Sequence, residues 1–264
     1  MTESVEGFLS CPSCGGSLTP GDGPGTDGMK VISIRCNKCG DMYEDNGSWI
    51  DFLHGRGLVF KNRREKFFRN IYARLYTPIT NMMFLPCGGA RSARNEVMSR
   101  VRVREGDMVL ETGVGCGENL LWLAKRYRNL RFRGLDIQER MLDNCLKNLA
   151  RWNIQAGLVR ADAQSLPYRD NTFDAVFHLG AINLFGDKGK AIREMIRVAR
   201  NDSRIVIADE TEKAGRFFKL FTGNAEKIIP PVNMIPGEMK NISLSTIWKG
   251  YGYLIGFDVY KPES

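Results

Sequence analysis

The chain has 264 residues, 43% of them hydrophobic and 26% charged, a balance that belongs to folded globular proteins and excludes collagen-like or wholly disordered ones. No apolar run approaches the ~18 residues that cross a bilayer, and the opening Met1-Thr-Glu-Ser-Val-Glu is acidic where a secretory leader is basic, so a cytoplasmic protein of one or two domains is expected. The net charge of +8 is uneven: residues 1–53 hold three bases and eight acids, while the other 35 bases and 22 acids leave the body at +13, suited to anionic partners such as nucleic acid, phosphorylated metabolites or lipid headgroups.

Two Cys-x-x-Cys pairs come first, Cys11-Pro-Ser-Cys14-Gly-Gly and Cys36-Asn-Lys-Cys39-Gly. Spaced about twenty residues apart, Cys11, Cys14, Cys36 and Cys39 read as a tetrahedral four-thiolate zinc site. Each pair turns tightly enough to aim both sulfurs at one metal, and the glycines that follow relieve crowding and let backbone amides face sulfur. Four thiolates leave no open coordination position, so the metal is expected to be structural. About fifty residues bury too little apolar surface to fold unaided, and bound metal offsets that shortfall. Disulfides, or iron in the same ligands, are the alternatives. Residues 21–28 are turn-rich, residues 30–35 read as a strand, and Asn46-Gly47 between apolar residues marks a hairpin that ends near Leu53. Residues 1–54 are thus assigned to a small zinc ribbon.

Gly55 and Gly57 punctuate the junction, and residues 55–90 read as a helical linker or cap. Phe67, Phe68, Ile71, Leu75 and Ile79 recur at helical spacing, and Pro78 is expected to kink or end that helix. The same segment carries Lys61, Arg63, Arg64, Lys66, Arg69 and Arg74 against Glu65 alone, either a solvated face or a surface for RNA or another anion. Tyr72 and Tyr76 either line a cofactor mouth or pack.

Residues 91–264 form the larger unit. Its sharpest feature is Asp107-Met-Val-Leu-Glu111-Thr-Gly113-Val-Gly115-Cys-Gly117-Glu, a short buried strand, a glycine turn and then a helix. Such a turn brings a ligand close to the backbone at a helix start, and dinucleotide enzymes carry similar ones. Here position 118 is Glu, so the phosphate-binding fingerprint is incomplete, and Glu111 suits an ammonium group better than a pyrophosphate. A second strand, 130–135, ends in Asp136, where a carboxylate can accept both hydroxyls of a ribose. A third ends in Val159-Arg-Ala-Asp162-Ala-Gln-Ser-Leu-Pro167, with an acid able to take an adenine amino group. A fourth strand, 175–177, leads to His178-Leu-Gly-Ala-Ile-Asn183-Leu-Phe185. Then follow a helix over 188–200 with Ala191, Ile192, Met195, Ile196 and Ala199 as its buried stripe, a strand over 203–210, a loop or lid over 228–236, and two apolar strands near 242–248 and 251–259. Cys87, Cys116 and Cys145 read as small packing residues.

This order of strand-tip acids around Gly-x-Gly-x-Gly closely resembles a class I S-adenosylmethionine-dependent methyltransferase, of the broad group that contains the ubiquinone/menaquinone-type C-methyltransferases. The resemblance covers residues 67–210 and continues more weakly to the end. It implies an α/β fold, a Rossmann-like, seven-stranded, mostly parallel sheet with helices on both faces, preceded by the ribbon. It implies that Glu111, Gly113, Gly115 and Gly117 hold the methionine end of S-adenosylmethionine, that Asp136 holds the ribose, that Ile137 packs on the adenine, and that Asp162 with Ala163 reads it. His178, Asn183, Tyr72 and Tyr76 become candidates for the acceptor cavity, with His178 either a substrate contact, a proton acceptor or a plain structural histidine. Residues 197–203 lack the proline and glycines many relatives have there, a departure away from the cofactor.

Methyl transfer from a sulfonium is an in-line displacement with a neutral leaving group, so alignment and water exclusion dominate and no universal catalytic residue is expected. The quinone-type resemblance and the apolar residues 230–236 point to a small, apolar or ring-bearing acceptor. The alternative is an RNA methyltransferase, since a ribbon ahead of such a domain also resembles the large-subunit ribosomal RNA guanine methyltransferases and the basic body suits phosphates. Against it stand the acidic ribbon and an intact second cysteine pair, where those enzymes use a histidine. A non-catalytic interaction module and a nicotinamide-dependent enzyme are the remaining alternatives.

Overall fold

Short apolar runs bounded by glycine turns, too uniformly hydrophobic for strands with one wet face, predict a sheet covered on both sides. The computed structural model describes residues 7–21, 32–53, 76–214 and 228–262 and contains such a sheet. Its strands are β1 (Leu18–Gly21), β2 (Ile32–Cys36), β3 (Met42–Asp45), β4 (Ile50–Asp51), β5 (Met108–Thr112), β6 (Arg131–Asp136), β7 (Ala156–Arg160), β8 (Phe173–Leu179), β9 (Ala199–Glu210), β10 (Lys240–Ile247) and β11 (Gly252–Asp258). The helices are α1 (Tyr76–Met83), α2 (Ala90–Met98), α3 (Glu118–Ala124), α4 (Glu139–Trp152) and α5 (Lys188–Val198).

The sheet has eleven strands where seven were expected, in the order β1-β2-β3-β4-β7-β6-β5-β8-β9-β11-β10. The run from β7 to β10 contains the seven anticipated strands, with β5 to β9 mutually parallel and the pair β11 and β10 antiparallel at one edge. The other four belong to the ribbon. An edge strand leaves a row of unpaired backbone groups, and at β7 this row is covered from within the chain. β4 lies parallel to β7, with Ile50 opposite Val159 and Asp51 opposite Arg160, and the Phe52 amide donates to the Arg160 carbonyl at 2.9 Å. The hairpin expected around Asn46-Gly47 joins β3 to β4; Gly47 adopts φ +81°, and the Asp45 and Asn46 side chains accept from the Gly47, Ser48 and Trp49 amides.

Alternation sorts the central side chains into two layers. Leu110, Val176, Ile205 and Ile207 point to one face with Ala191, Ile192, Met195 and Val198 of α5. Val109, Ala175, Phe177, Val206 and Ala208 point to the other with α2, α3 and α4, through Val97, Leu120, Leu142 and Cys145 among others. In the α5 stripe Val198 is buried and Ile196 only half-buried. The ribbon's Ile34, Tyr43 and Phe52 join the α5-side core. Residues 54–75, including most of the expected basic helix and Tyr72, lie outside the described residues. Pro78 lies inside α1, which runs on to Met83, so it does not end the helix there. Among the described residues no helix is long and apolar enough to cross a membrane.

At the β10 edge the Asp258 carboxylate is clasped by Arg204 at 2.8 Å, Asn241 at 2.6 Å and Arg102 at 3.3 Å. Burial opposes its charge, but these partners prevail and hold the carboxyl below the usual carboxylate range. Its contribution is therefore complete above the unfolded carboxyl pKa of about 4 and is lost as pH falls through the lower folded value. Asp258→Ala should cost about 1–3 kcal/mol in urea unfolding at pH 7, and the gap to the unmodified chain should close under acid.

Candidate functional site

The four cysteines converge as their spacing predicts. Their sulfurs all lie within 4.8 Å of one another, with Cys11 and Cys39 3.6 Å apart and Cys14 and Cys36 3.5 Å apart. Those separations are far beyond a disulfide bond and close to the ~3.8 Å edge of a tetrahedron with 2.3 Å metal–sulfur bonds. Gly16 shows why glycine follows the first pair: a Cβ there would stand 2.8 Å from the Cys36 sulfur and 2.7 Å from Lys38 Cβ. The Lys38 amide reaches the Cys36 sulfur at 3.4 Å, and the buried Tyr43 hydroxyl pairs with the Cys11 sulfur at 3.0 Å. The donor set and its spacing fit a four-coordinate zinc ion.

The second cluster gathers at the carboxyl ends of β5, β6 and β7. β5 lies between β6 and β8, so the chain leaves it first to one side and later to the other, the place where an open α/β sheet forms a crevice. Gly113, Gly115 and Gly117 all have positive φ, at 76°, 52° and 77°, which lets the turn pass close under whatever lies above it. Gly117 also packs against α4, where a Cβ would meet the Cys145 sulfur at 2.8 Å.

Glu111, at the tip of β5, is fully buried. Its Oε1 accepts from Asn119 Nδ2 at 2.6 Å, whereas Oε2 has no hydrogen-bond partner among the described residues. Burial pushes the carboxyl up to about 8, against the help of Asn119 and Arg94. Asn119 is itself gripped by Arg94 Nε at 2.8 Å, and Arg94 also bonds Glu118 at 2.6 Å. Sequence reasoning did not single out Asn119 or Arg94; the first is signalled only by an amide two residues into a buried helix start, and nothing local marks the second. Asp136 is 8% exposed and accepts from the Gly115 amide at 3.1 Å and the Gln138 amide at 2.9 Å. Ile137 is half-buried beside it. Asp162 accepts from the Gln164 amide and side chain, and Ala163 is buried next to it.

On the β8 side His178 is fully buried, its Nδ1 2.6 Å from the Thr112 carbonyl and its ring edge-on to Phe185 at 5.2 Å. A Cβ on Gly113 would lie 3.2 Å from its Cε1, so the imidazole sits against the glycine turn. Burial drives its pKa down to about 4, against the opposing pull of the Thr112 and Gly180 backbone, leaving it neutral at physiological pH, and Nε2 has no hydrogen-bond partner among the described residues. Asn183 is occupied on all sides: its amide nitrogen donates to the Glu210 carbonyl at 2.9 Å, its Oδ1 accepts from Tyr253 at 3.0 Å, and its backbone amide bonds Asp209 at 2.8 Å. Burial lifts Asp209 to about 6 and Glu210 to about 7. Of the two tyrosines, Tyr72 lies outside the described residues, and of Tyr76 only the backbone, at the head of α1, is described. Cys116 and Cys145 are buried in the core, their thiols pushed up by burial, as packing residues.

Residues 109–202 match the family model described as a methyltransferase domain. The demethylmenaquinone methyltransferase of Lactobacillus johnsonii is 27% identical over 172 residues, 63% of this chain and 70% of that protein. The fatty-acid O-methyltransferase of Mycolicibacterium smegmatis is 36% identical over 107 residues, 40% of this chain and 38% of that protein, so there the chain spans well under half of its relative. A geranyl diphosphate C-methyltransferase from Streptomyces coelicolor, solved with S-adenosyl-L-homocysteine, shares the fold with a TM-score of 0.55 at 11% identity, over 64% of this chain and 76% of that one. Residues 109–202 are thus similar to a methyltransferase domain, and the body of the chain has the fold of S-adenosylmethionine-dependent methyltransferases.

The sulfur cluster yields a direct test. Cys36→Ser should leave the purified chain without bound zinc by atomic absorption; zinc retained as in the unmodified chain would overturn the four-thiolate reading.

Proposed function

We propose that this chain transfers the methyl group of S-adenosylmethionine to a small, apolar or ring-bearing acceptor, with structural zinc in its N-terminal ribbon. The observation that carries the reading is the buried Glu111 carboxyl with one oxygen unpartnered at the glycine turn. A carboxyl is costly to bury, and one left half-satisfied at a sheet crevice is explained by a cationic ligand that completes it. The ammonium of the cofactor's methionine end is such a group. Asn119, steadied by Arg94, keeps the Glu111 carboxyl oriented before any ligand arrives. The positive-φ glycines leave room above the turn, Asp136 accepts the ribose hydroxyls, Ile137 and Ala163 flank the adenine, and Asp162 takes its amino group.

When bound, the cofactor supplies an activated methyl carbon on a sulfonium. What falls to the protein is to align the acceptor with that carbon and to keep water out. Neutral His178, wedged between the turn and Phe185, forms the floor on the β8 side and presents Nε2 as a proton acceptor. Leu184 after β8, and Ile229 and Met234 in the 228–236 segment, expose apolar side chains of the kind that receives a hydrophobic acceptor. The names of two relatives, a demethylmenaquinone methyltransferase and a fatty-acid O-methyltransferase, support the same acceptor class.

The test is incubation with isotopically labelled S-adenosylmethionine and a panel of quinones and fatty acids, with mass spectrometry of the extracted products. Labelled methyl in an apolar product is expected; label confined to added RNA would overturn the acceptor class. Asp136→Ala should weaken S-adenosylhomocysteine binding by about 1–3 kcal/mol in calorimetry, and unchanged affinity would mean the ribose lies elsewhere. Because Glu111 is protonated below about pH 8 in the free chain and ionised opposite an ammonium, binding below that pH should release a proton. Affinity should therefore rise with pH toward 8, and titrations in buffers of different ionisation enthalpy should report the released proton. Glu111→Gln should abolish both effects.

A further inference from the structure

The segment after β7, residues 161–168, carries Asp162 and Ala163, and it is held from the ribbon side at three consecutive points. Ser165 Oγ donates to the carbonyl of Pro12 at 2.7 Å, and Pro12 lies between the two cysteines of the first pair. The Ser10 amide donates to the Pro167 carbonyl at 3.1 Å, and the Arg169 amide donates to the Phe8 carbonyl at 2.8 Å, around an antiparallel bridge between Leu9 and Tyr168. A second tie runs from β4. Asp51 binds Arg160 Nη1 at 2.7 Å, with the two side chains 15% and 13% exposed, and Arg160 Nε reaches the carbonyl of Ile137 at 3.4 Å. The first tie holds the segment that carries Asp162 and Ala163, and the second ends on Ile137, residues given above to the adenosine half of the cofactor site.

The cores are continuous as well. Cys11, Cys36, Tyr43 and Phe52 of the ribbon pack in the same cluster as Val159, Ala161, Ala163, Leu166 and Tyr168. From the opposite side the segment is held by Glu194, which accepts from the Leu166 amide at 2.7 Å, and by Arg197, which donates to the Leu166 carbonyl at 3.0 Å. Asp162 and Ala163 thus hang between α5 and the metal knuckle. The knuckle turn is closed by the Cys11 amide on the Gly16 carbonyl at 2.9 Å and the Gly15 amide on the Cys11 carbonyl at 2.8 Å, while Pro12 and Cys14 are only partly buried and Ser13 is exposed. An ion joining the four sulfurs would add a restraint that ties this turn, and the Pro12 carbonyl it offers, to the second cysteine pair.

We propose that the four-cysteine ribbon is a positioning element of the cofactor site, so that metal in the knuckle sets how tightly the body holds an adenosine-bearing ligand. The ties through Ser165 and through Asp51 and Arg160 transmit it. This rests on the cofactor reading given under Proposed function.

The experiment titrates S-adenosylhomocysteine calorimetrically into the zinc-loaded full chain, its Ser165→Ala, Ser165→Thr and Asp51→Asn variants, and the chelator-treated chain. Zinc content and melting temperature are measured in parallel. The alanine and asparagine variants should keep their zinc and their fold yet bind the ligand about threefold to tenfold more weakly, while Ser165→Thr, which retains the hydroxyl, should restore affinity. The chelated chain should lose at least as much, and Ser165→Ala should add nothing to that loss. Zinc-loaded Ser165→Ala and Asp51→Asn chains that bind like the unmodified one would overturn the proposal, and so would a folded, zinc-free chain with unchanged affinity. Should the chelated chain unfold, the two zinc-loaded variants decide the matter alone. Failure of the unmodified, zinc-loaded chain to bind at all would overturn the cofactor reading itself, and is distinguishable from either result.

Discussion

A carboxyl group buried where strand order reverses is the constraint around which the rest of the molecule is arranged. Glu111 is the penultimate residue of β5, the strand from which the sheet grows in both directions, and its side chain has no access to water. Placing an acid there costs free energy that a leucine would not. The chain softens the cost with Asn119 on one oxygen and Arg94 behind it, and leaves the other oxygen open. Such an arrangement is a poor stability device and a good ligand device, because its electrostatic cost is recovered when a cation arrives. The glycine turn and Asp136 are organised around the same point: the Gly115 amide donates to Asp136, tying the turn to the tip of the neighbouring strand.

The two layers of side chains explain how so polar a cluster can sit at the sheet's end. Both faces of β5, of most of β8 and of residues 205–209 of β9 are dry, one against α5 and the other against α2, α3 and α4. The strands are therefore fixed along their length, and their tips inherit that rigidity. His178 belongs to this scaffold and borders the glycine turn, its Nδ1 donating to the Thr112 carbonyl beside that turn. The same neighbours keep it dry and hence neutral.

The ribbon changes the meaning of the N-terminal cysteines. Their sulfur cluster is local, but the unit they build continues the sheet through β4 and shares a core with the α5 side. β4 of the acidic N-terminal segment thereby lies against strand β7 of a basic body, with Asp51 and Arg160 as the ion pair at the seam. The seam ends next to Ile137 and Asp162, and this contact is the spatial basis of the proposed link between the cysteine cluster and the crevice.

Much of this was legible in the residues because it rests on short-range chemistry. Cysteine spacing specified the sulfur cluster, apolar alternation and glycine turns specified the strands and helices of the body, and the strand-tip positions of Glu111, Asp136 and Asp162 followed from where each apolar run stopped. Pairings between distant segments left no such trace. β4 was visible as the arm of a hairpin, but nothing in Ile50-Asp51 says that it will lie beside Val159 and Arg160, because a free strand edge accepts almost any extended backbone and the choice among edges is made by side-chain packing over 109 residues of separation. The same holds for Arg94 and Asn119, and for Tyr253 closing on Asn183. Amino-acid order determined which groups stand at the ends of the strands; only the packed tertiary structure decided which of them are dry, which are partnered, and which oxygen of Glu111 was left open.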